Sequence, residues 1–445
     1  VLLSAKALGG AEGSATKLTL RTPKITSSSV TLAWPHYDDA TGVKVYLAPE
    51  PAGTRNEPLY ETLVSEQPSD STGCVIEKLA ANVDVFFRVV VSSETKAPTE
   101  GYIHVRTAGG PAVPLDTAVR EVHLMGPKIM QVILMNMKVT SYTGDTGTLV
   151  GSTGPEWQNG DWTITRLDGT KINVTGKYRH TVPAGQNYFP LGYGKDTRDE
   201  LMDVEHRIYL MLDAAVGNRD ILHIQGPLGV DFLLPYSDHY LETPAIQVNQ
   251  VGYSPRSTER WAYFSGWLGD GGPLVMSDYP STCNVIRDYD DFSKDVQVRD
   301  KVVSDSLAIT QRSAADTGAG GEVRQASPSS VPQGEGVMFR VCLPGVGVSW
   351  PTQVSETAIF KAFFTVARGL YHNRWGCALE EKYTEWAPRK ADHTTVYDPA
   401  SPAEEVTDFA LKFPETRSTA KELERTLIGG HHDAGDYDQR PFHYM

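Results

Sequence analysis

The 445-residue chain contains little cysteine, no long apolar run and no excess of basic residues. Its four cysteines, Cys74, Cys283, Cys342 and Cys377, are too few and too scattered for a disulfide scaffold or a Cys-x-x-Cys metal site. The lack of any stretch of about 18 apolar residues excludes a predicted membrane-spanning helix. With 41 basic and 55 acidic residues, the formal net charge is −14, which argues against nucleic acid as a partner.

What the chain does contain is enough apolar material for several cores. Hydrophobic residues make up 40% of it, and its length predicts about three domains. Cys283 and Cys342 fall in what we interpret below as one β-domain, where they could pair or remain free thiols. The sequence begins with Val1 and shows no signal peptide, which we interpret as a processed or trimmed N-terminus.

Short apolar runs separated by turn-rich pieces fill the first 110 residues. The runs are Val30 to Trp34, Val43 to Leu47, Val85 to Val91 and Ile103 to Val105. This spacing predicts a β-sandwich over residues 17–110, after an N-terminal tail at 1–16. The segment resembles a fibronectin type III module through Ser29 to Trp34 and through Leu79 leading into Phe86 to Val89. Phe86 and Phe87 stand in the strand where that family usually has a tyrosine. Trp34 is expected in the core.

A second β-sandwich, of no family that we can name, is predicted over residues 115–243, after the linker Gly109 to Pro114. Its strand-like runs are Met130 to Val139, Trp162 to Arg166, His206 to Leu212 and Ile221 to Ile224. The dipeptides Asn159-Gly160 and Asp168-Gly169 favour hairpins. Trp157 and Trp162 could stack on a sugar ring, although burial in the core is the favoured interpretation.

The segment from Ala245 opens with the alternating strand Ile246 to Val251, which runs into the turn Gly252-Tyr253-Ser254-Pro255. It resembles the immunoglobulin-like domain that precedes the catalytic domain in many family 9 glycoside hydrolases. The resemblance continues to about Ser349 and implies an immunoglobulin-like β-sandwich over residues 245–350. The Gly- and Ser-rich stretch from Ser313 to Gly336 predicts a long loop within it.

The apolar period changes from strand to helix after Pro351. Ile359, Phe363, Val366 and Leu370 recur at steps of four, three and four and predict a helix running to about Leu379, with Ser355 in its N-cap region. Further helices are predicted over Ala403 to Leu411 and Thr416 to Leu427. Three β-domains followed by helices indicate a mosaic of domains.

The strongest chemical motif is Gly429-Gly430-His431-His432-Asp433-Ala434-Gly435-Asp436-Tyr437. Gly435 permits tight backbone geometry, so Asp433 and Asp436 can face one cleft and hold one water between them. Their repulsion would tend to raise one of the two pKa values, and a base active near neutral pH needs the other carboxylate ionised. Taken alone, the motif is equally compatible with a metal-binding or turn loop.

In context, the motif resembles the catalytic-base motif of family 9 glycoside hydrolases. The segment Tyr371 to Cys377 is similar to the end of that family's first barrel helix, so residues 351–445 are expected to begin an (α/α)6 barrel. The resemblance implies that Asp436 is the general base and that Asp433 holds the attacking water. It also implies an inverting mechanism, which needs a general acid roughly 6.5–9.5 Å from the base. The family's acid lies late in the barrel, so we expect it in a downstream remainder of the same polypeptide.

Aromatic and histidine side chains near the motif are candidates for contacts with the sugar. These substrate-binding candidates are His431, His432, Tyr437, Trp375 and Trp386. The chemistry implied by the resemblance needs no cofactor. Some family members carry a structural zinc, and the matching positions here are Cys377, Asp392, His393 and His432, which could hold zinc or calcium. The alternative is that the histidines support the cleft and that Cys377 is a buried thiol.

The resemblance implies a secreted or cell-surface glycoside hydrolase that cleaves β-1,4-glucan chains of the cellulose type, with endo cleavage the family's commonest mode. Two alternatives stay open. One is an exo-acting glucosidase or glucosaminidase of the same family. The other is a non-catalytic structural or carbohydrate-binding protein with a vestigial hydrolase domain. The expected partner is a polysaccharide or oligosaccharide, with neither nucleic acid nor a membrane span.

Overall fold

The computed structural model describes residues 18–51, 61–109, 117–141, 149–188, 200–288, 302–363, 378–383 and 406–408. Contacts divide the chain into two units, Val1–Ser355 and Glu356–Met445, which are described separately. The described part of the first unit is built from β-sheets, as predicted, and its sheets form three consecutive pairs along the chain.

The first pair of sheets forms the predicted fibronectin type III-like sandwich. One sheet has the order β1-β2-β5 and the other the order β4-β3-β6-β7. The strands are β1 (Arg21–Ile25), β2 (Val30–Ala33), β3 (Ala40–Ala48), β4 (Thr62–Gln67), β5 (Gly73–Ile76), β6 (Asp84–Ser93) and β7 (Thr99–Arg106). Trp34 is 5% exposed and donates its indole N–H to the Ser71 carbonyl at 2.8 Å, which confirms it as a core residue. Alternating burial along β2 and β3 reflects the period of two of a strand packed on one face.

The second pair of sheets follows from residue 119. One sheet has the order β10-β9-β14-β13 with β8 also paired to β9, and the other has the order β12-β11-β15-β16. The elements are β8 (Val119–Gly126), β9 (Ile129–Ser141), β10 (Leu149–Val150), helix α1 (Gly154–Asn159), β11 (Thr163–Arg166), β12 (Lys171–Ile172), β13 (Val174–Tyr188), β14 (Glu200–Leu212), β15 (Ile221–Gln225) and β16 (Asp231–Pro235).

The two dipeptides expected to form hairpin turns behave differently. Asp168-Gly169 does connect β11 to β12, with Gly169 at a φ of 87° that favours glycine. Asn159-Gly160 instead ends helix α1, where the Gly160 N–H donates to the Glu156 carbonyl. The hairpin prediction at this dipeptide was wrong because Pro155 near the helix start favours a helical turn before the glycine.

The third pair of sheets has the orders β17-β18-β22-β21 and β20-β19-β23-β24. Its strands are β17 (Ile246–Gln247), β18 (Ala262–Phe264), β19 (Thr282–Arg287), β20 (Val302–Ala308), β21 (Thr310–Asp316), β22 (Gly321–Ala326), β23 (Phe339–Leu343) and β24 (Gly347–Val348). The long loop predicted over Ser313 to Gly336 was wrong for its first half. Strands β21 and β22 form a hairpin there, because the polar side chains that gave the segment its loop-like composition lie on an exposed edge strand.

Cys283 and Cys342 lie on adjacent strands, and no disulfide joins them. Asn284 of β19 pairs directly with Cys342 of β23. Because successive side chains of a strand point to opposite faces, Cys283 points away from Cys342. Strand pairing therefore keeps the two sulfur atoms on opposite sides of the sheet, and the disulfide considered from the sequence does not form.

The three pairs of sheets share a continuous hydrophobic core. One cluster of buried side chains extends from Leu18 in the first sandwich, through Leu222 in the second, to Val346 in the third. Backbone bonds also cross between the first two sandwiches, since Leu233 N–H donates to the Lys78 carbonyl at 2.6 Å and Ala80 N–H donates to the Leu233 carbonyl at 2.8 Å.

The described part of the second unit is small. A helix occupies residues 356–363, which confirms the start predicted after Ser355. Strands β25 (Ala378–Tyr383) and β26 (Val406–Asp408) pair antiparallel. The helix predicted over Ala403 to Leu411 was therefore wrong at its centre, where the β-branched pair Val406 and Thr407 favours a strand. The predicted helix over Thr416 to Leu427 lies outside the described residues.

Candidate functional site

The residues singled out for chemistry lie outside the described part of the chain. This holds for the predicted general base Asp436 and for Asp433. It holds for the expected sugar contacts His431, His432, Tyr437, Trp375 and Trp386, and for the proposed metal ligands Cys377, Asp392, His393 and His432. Their roles stay predictions. The structure does describe the segment that leads toward them, up to residue 363.

The turn Asn249 to Tyr253, which carries the resemblance to the immunoglobulin-like domain, binds the end of the third sandwich. Tyr253 N–H donates to the Gln353 carbonyl at 2.8 Å, and Ser355 N–H donates to the Tyr253 carbonyl at 3.1 Å. The Thr352 hydroxyl donates to the Asn249 carbonyl at 2.6 Å. The turn therefore fixes the backbone immediately before the helix that begins at residue 356.

Side chains of the turn hold its shape. The Tyr253 hydroxyl donates to the Trp261 carbonyl at 2.6 Å and accepts from the Asn249 N–H at 3.2 Å. Gly252 has a φ of 127°, and a Cβ at this position would lie 3.1 Å from the Gln353 carbonyl oxygen. Glycine is thus needed at Gly252 both for the backbone conformation and for the close approach of the exit segment.

A buried network of charges joins the three sandwiches. Glu242, in the connection after the second sandwich, lies 2.6 Å from Arg106 Nη2 of the first and 2.7 Å from Arg340 Nη1 of the third. Arg340 Nε also donates to Asp288 Oδ2 at 2.8 Å. The side chains of Glu242, Arg340 and Asp288 are 9%, 7% and 2% exposed, so solvent screens these pairs little.

Opposite charges determine the protonation state of Glu242. Burial would raise the pKa of its carboxyl, but attraction and hydrogen bonds from Arg106 and Arg340 outweigh burial and lower the pKa below its usual value. The backbone of Glu242 takes part as well, because its carbonyl lies 2.7 Å from His123 Nδ1. The network holds fixed charges in place where the three sandwiches meet, which indicates a structural role.

The tryptophans considered for sugar stacking in the second sandwich are buried. Trp157 and Trp162 are 4% and 8% exposed, and the Trp162 indole N–H donates to the Trp157 carbonyl at 2.7 Å. A sugar ring cannot reach either face, so the preferred core interpretation is confirmed.

A serine and a histidine lie together beneath Trp157. Ser152 Oγ is 3.2 Å from His206 Nε2, and Thr181 Oγ1 is 2.9 Å from His206 Nδ1. Burial, with repulsion from Arg179, lowers the pKa of His206 to about 4. A histidine with so low a pKa is a weak base near neutral pH, and both ring nitrogens are bonded to hydroxyls, so His206 stabilises the core rather than activating Ser152.

A groove of about 290 Å³ lies between the second and third sandwiches. Its lining includes Tyr178, Lys128, Pro273 and Asp278. Pro273 pairs with Trp267, whose side chain is 45% exposed. Trp267 does not line the groove itself, but an exposed indole one strand position from a groove-lining residue offers a face on which a sugar ring can stack. The sequence signal for it is a tryptophan within the glycine-rich loop Gly266 to Gly272.

Comparison with known proteins leaves the family open. No family model and no curated protein matches the chain. A two-domain fibronectin type III segment of chicken tenascin is 12% identical, with a TM-score of 0.18, over 49% of this chain and 97% of that one. A Bacteroides ovatus protein of the mixed-linkage glucan utilization locus, solved with a heptasaccharide, is 8% identical, with a TM-score of 0.28, over 79% and 70% of the two chains. A Bacillus thuringiensis chitinase is 10% identical, with a TM-score of 0.15, over 48% and 30%. Similarities of this size carry no argument about function.

Among the described residues, no helix is long and apolar enough to cross a membrane.

Proposed function

We propose that this chain belongs to an inverting glycoside hydrolase of the family 9 type, secreted or held at the cell surface, that hydrolyses β-1,4-glucan chains. The observation that carries the proposal is the sequence Asp433-Ala434-Gly435-Asp436-Tyr437, which follows the turn Asn249 to Tyr253 at the distance typical of that family. Asp436 removes a proton from the attacking water, and Asp433 holds that water by a second hydrogen bond.

The position of the turn supports the proposal. In a chain where a catalytic domain follows a β-sandwich, the last residues of the sandwich have to be held in place. Here the backbone hydrogen bonds of Tyr253 with Gln353 and Ser355 hold residues 353–355. The rest of the reaction requires a carboxylic acid on the opposite side of the sugar, which protonates the departing oxygen.

The test is hydrolysis of cello-oligosaccharides by the full-length protein. Wild-type protein should release products of inverted anomeric configuration, visible by proton NMR before mutarotation. Asp436→Asn should lower kcat by at least about 10²-fold, the lower end of the effect of losing a general base, while oligosaccharide binding persists. Glu66→Asn, a matched exposed change far from the motif in sequence, is the control. Full activity in Asp436→Asn would mean that the base is misassigned.

A second candidate function is glycan binding without hydrolysis, favoured by the groove next to Trp267. The same experiment separates the two, since wild-type protein that binds cello-oligosaccharides and releases no product is a binding protein. Product formed one unit at a time from chain ends would instead indicate the exo-acting glucosidase or glucosaminidase alternative.

A further inference from the structure

A cluster of metal-ligating side chains lies where the second sandwich connects to the third. Asp238 and His239 stand in the turn after β16, and Cys342 stands in β23. The Cys342 thiol donates to the Asp238 carbonyl at 3.3 Å, so the turn and the strand are in direct contact. One ligand atom from each of the three side chains lies within 4.8 Å of the other two.

Hydrogen bonds hold both the backbone and the carboxylate of Asp238 in place. Gly345 N–H donates to Asp238 Oδ2 at 2.9 Å, and the Asp238 N–H donates to Asn218 Oδ1 at 3.0 Å. Asp238 is 7% exposed and Cys342 is fully buried, whereas the side chain of His239 is 30% exposed. The site is therefore enclosed on the protein side and reachable past the imidazole.

Two buried polar atoms here have no hydrogen-bond partner among the described residues. They are Asp238 Oδ1 and the hydroxyl of Tyr236, a residue with no exposed surface. Burial, with repulsion from Asp238 and Cys342, raises the pKa of the Tyr236 hydroxyl. Buried polar atoms are almost always bonded, and an exception points to a bound ion or water. An unpartnered carboxylate oxygen of Asp238, in a cluster with a thiol and an imidazole, is an independent indication of a ligand.

We propose that Asp238, His239 and Cys342 bind one zinc ion through Asp238 Oδ1, an imidazole nitrogen and the Cys342 thiolate. Thiolate, imidazole and carboxylate are the donors that Zn²⁺ takes in proteins, and a three-residue set leaves a fourth position for water. Binding displaces the thiol proton to solvent, so affinity rises with pH. Ligand atoms in tetrahedral zinc sites are roughly 3.5 Å apart, so the partly exposed His239 ring moves inward on binding.

Such a site links the connection between the second and third sandwiches to strand β23, so the ion stabilises that junction. It is separate from the metal set suggested by the sequence, Cys377, Asp392, His393 and His432. The two sites can be distinguished by mutation, because one uses Cys342 and the other Cys377.

The test uses the full chain with Cys377→Ser, which removes the thiolate of the other set. Titration with Co²⁺, a spectroscopic substitute for zinc, should give a thiolate-to-cobalt absorption band that saturates at one equivalent. Adding Cys342→Ser should abolish the band. Adding Cys283→Ser, which removes a buried thiol from the opposite face of the same sheet, should leave it intact. Zinc should raise the Tm of the parent and of the Cys283→Ser chain but not that of the Cys342→Ser chain.

His239→Gln keeps the test decisive if Cys342→Ser fails to fold, because this partly exposed side chain can change without opening the core. It should weaken cobalt binding at least about tenfold. The proposal is overturned if the Cys377→Ser chain shows no thiolate band, which would mean that buried water satisfies the two polar atoms. It is equally overturned if the band survives Cys342→Ser or if His239→Gln binds cobalt unchanged.

Discussion

Arg106 of strand β7 and Glu242 of the connection after the second sandwich form an ion pair of 2.6 Å between parts of the chain 136 residues apart. The pair is mostly buried and continues to the third sandwich through Arg340. Glu242 and Asp288 together thus compensate the charges of the two arginines at the point where three domains meet.

Glu242→Gln should destabilise the protein strongly. The substitution keeps the size of the side chain but leaves Arg106 and Arg340 without their shared counter-charge, and breaking a buried pair in this way costs about 3–5 kcal/mol. Urea unfolding measures the loss. The control is Glu66→Gln, which breaks the exposed pair with Lys44 and should cost less than about 1 kcal/mol. Equal losses in the two variants would mean that the network contributes no more than a surface pair.

Stability should fall as the pH decreases from about 6.5 to about 4, because of His206. The pKa of its imidazole is lowered to about 4 in the folded protein from an ordinary value of about 6.5, so the unfolded chain takes up a proton over this range before the folded one does. A difference of this size corresponds to up to about 3 kcal/mol. His206→Gln, which cannot titrate, should flatten this part of the curve of unfolding free energy against pH. An unchanged slope would assign the pH dependence to other groups.

Gly252→Ala should loosen the segment before residue 356. The alanine would have to adopt a φ of 127° and would crowd the Gln353 carbonyl, which together should cost about 1–3 kcal/mol. Hydrogen exchange of the Tyr253 and Ser355 amides should accelerate, since both bond across this contact. The matched variant is Gly169→Ala, whose φ of 87° is also positive but where a Cβ meets nothing within 4 Å. It should leave exchange at those two amides unchanged.

Trp267→Ala should reduce glycan binding without unfolding the protein. The side chain is 45% exposed, so its removal opens no core cavity, while loss of one stacking surface should weaken oligosaccharide affinity about tenfold. Trp157→Ala is the contrasting variant, since that residue is 4% exposed and its truncation should cost about 3–5 kcal/mol of stability. Unchanged affinity in Trp267→Ala would exclude this surface as the glycan site.

Local sequence patterns predicted the sheets well where one face of a strand is buried. Val30 to Trp34 and His206 to Leu212 alternate or run apolar because their strands pack on a core, and the structure places strands over both. The same reasoning failed at Thr310–Asp316, an exposed edge strand whose polar composition gives no apolar signal. It also failed at Gly160, because helix ends and hairpins both use glycine.

Contacts between domains could not be predicted from such patterns. The cluster of Asp238, His239 and Cys342 joins residues more than one hundred positions apart, and only the pairing of Asn284 with Cys342 determines which face the thiol occupies. Likewise Arg106, Glu242 and Arg340 are ordinary charged residues in the sequence, and only the packing of three sandwiches brings them together.

The hydrophobic core that extends from Leu18 to Val346 makes the three sandwiches interdependent. Modules joined by flexible linkers can be exchanged between proteins during evolution or in the laboratory, because each keeps its own interior. Here, removing or replacing one sandwich would expose apolar surface on the next. It would also remove the ion-pair partners of charged side chains at the junction, such as Glu242. We therefore expect the region to be inherited as a block and to melt in one calorimetric transition.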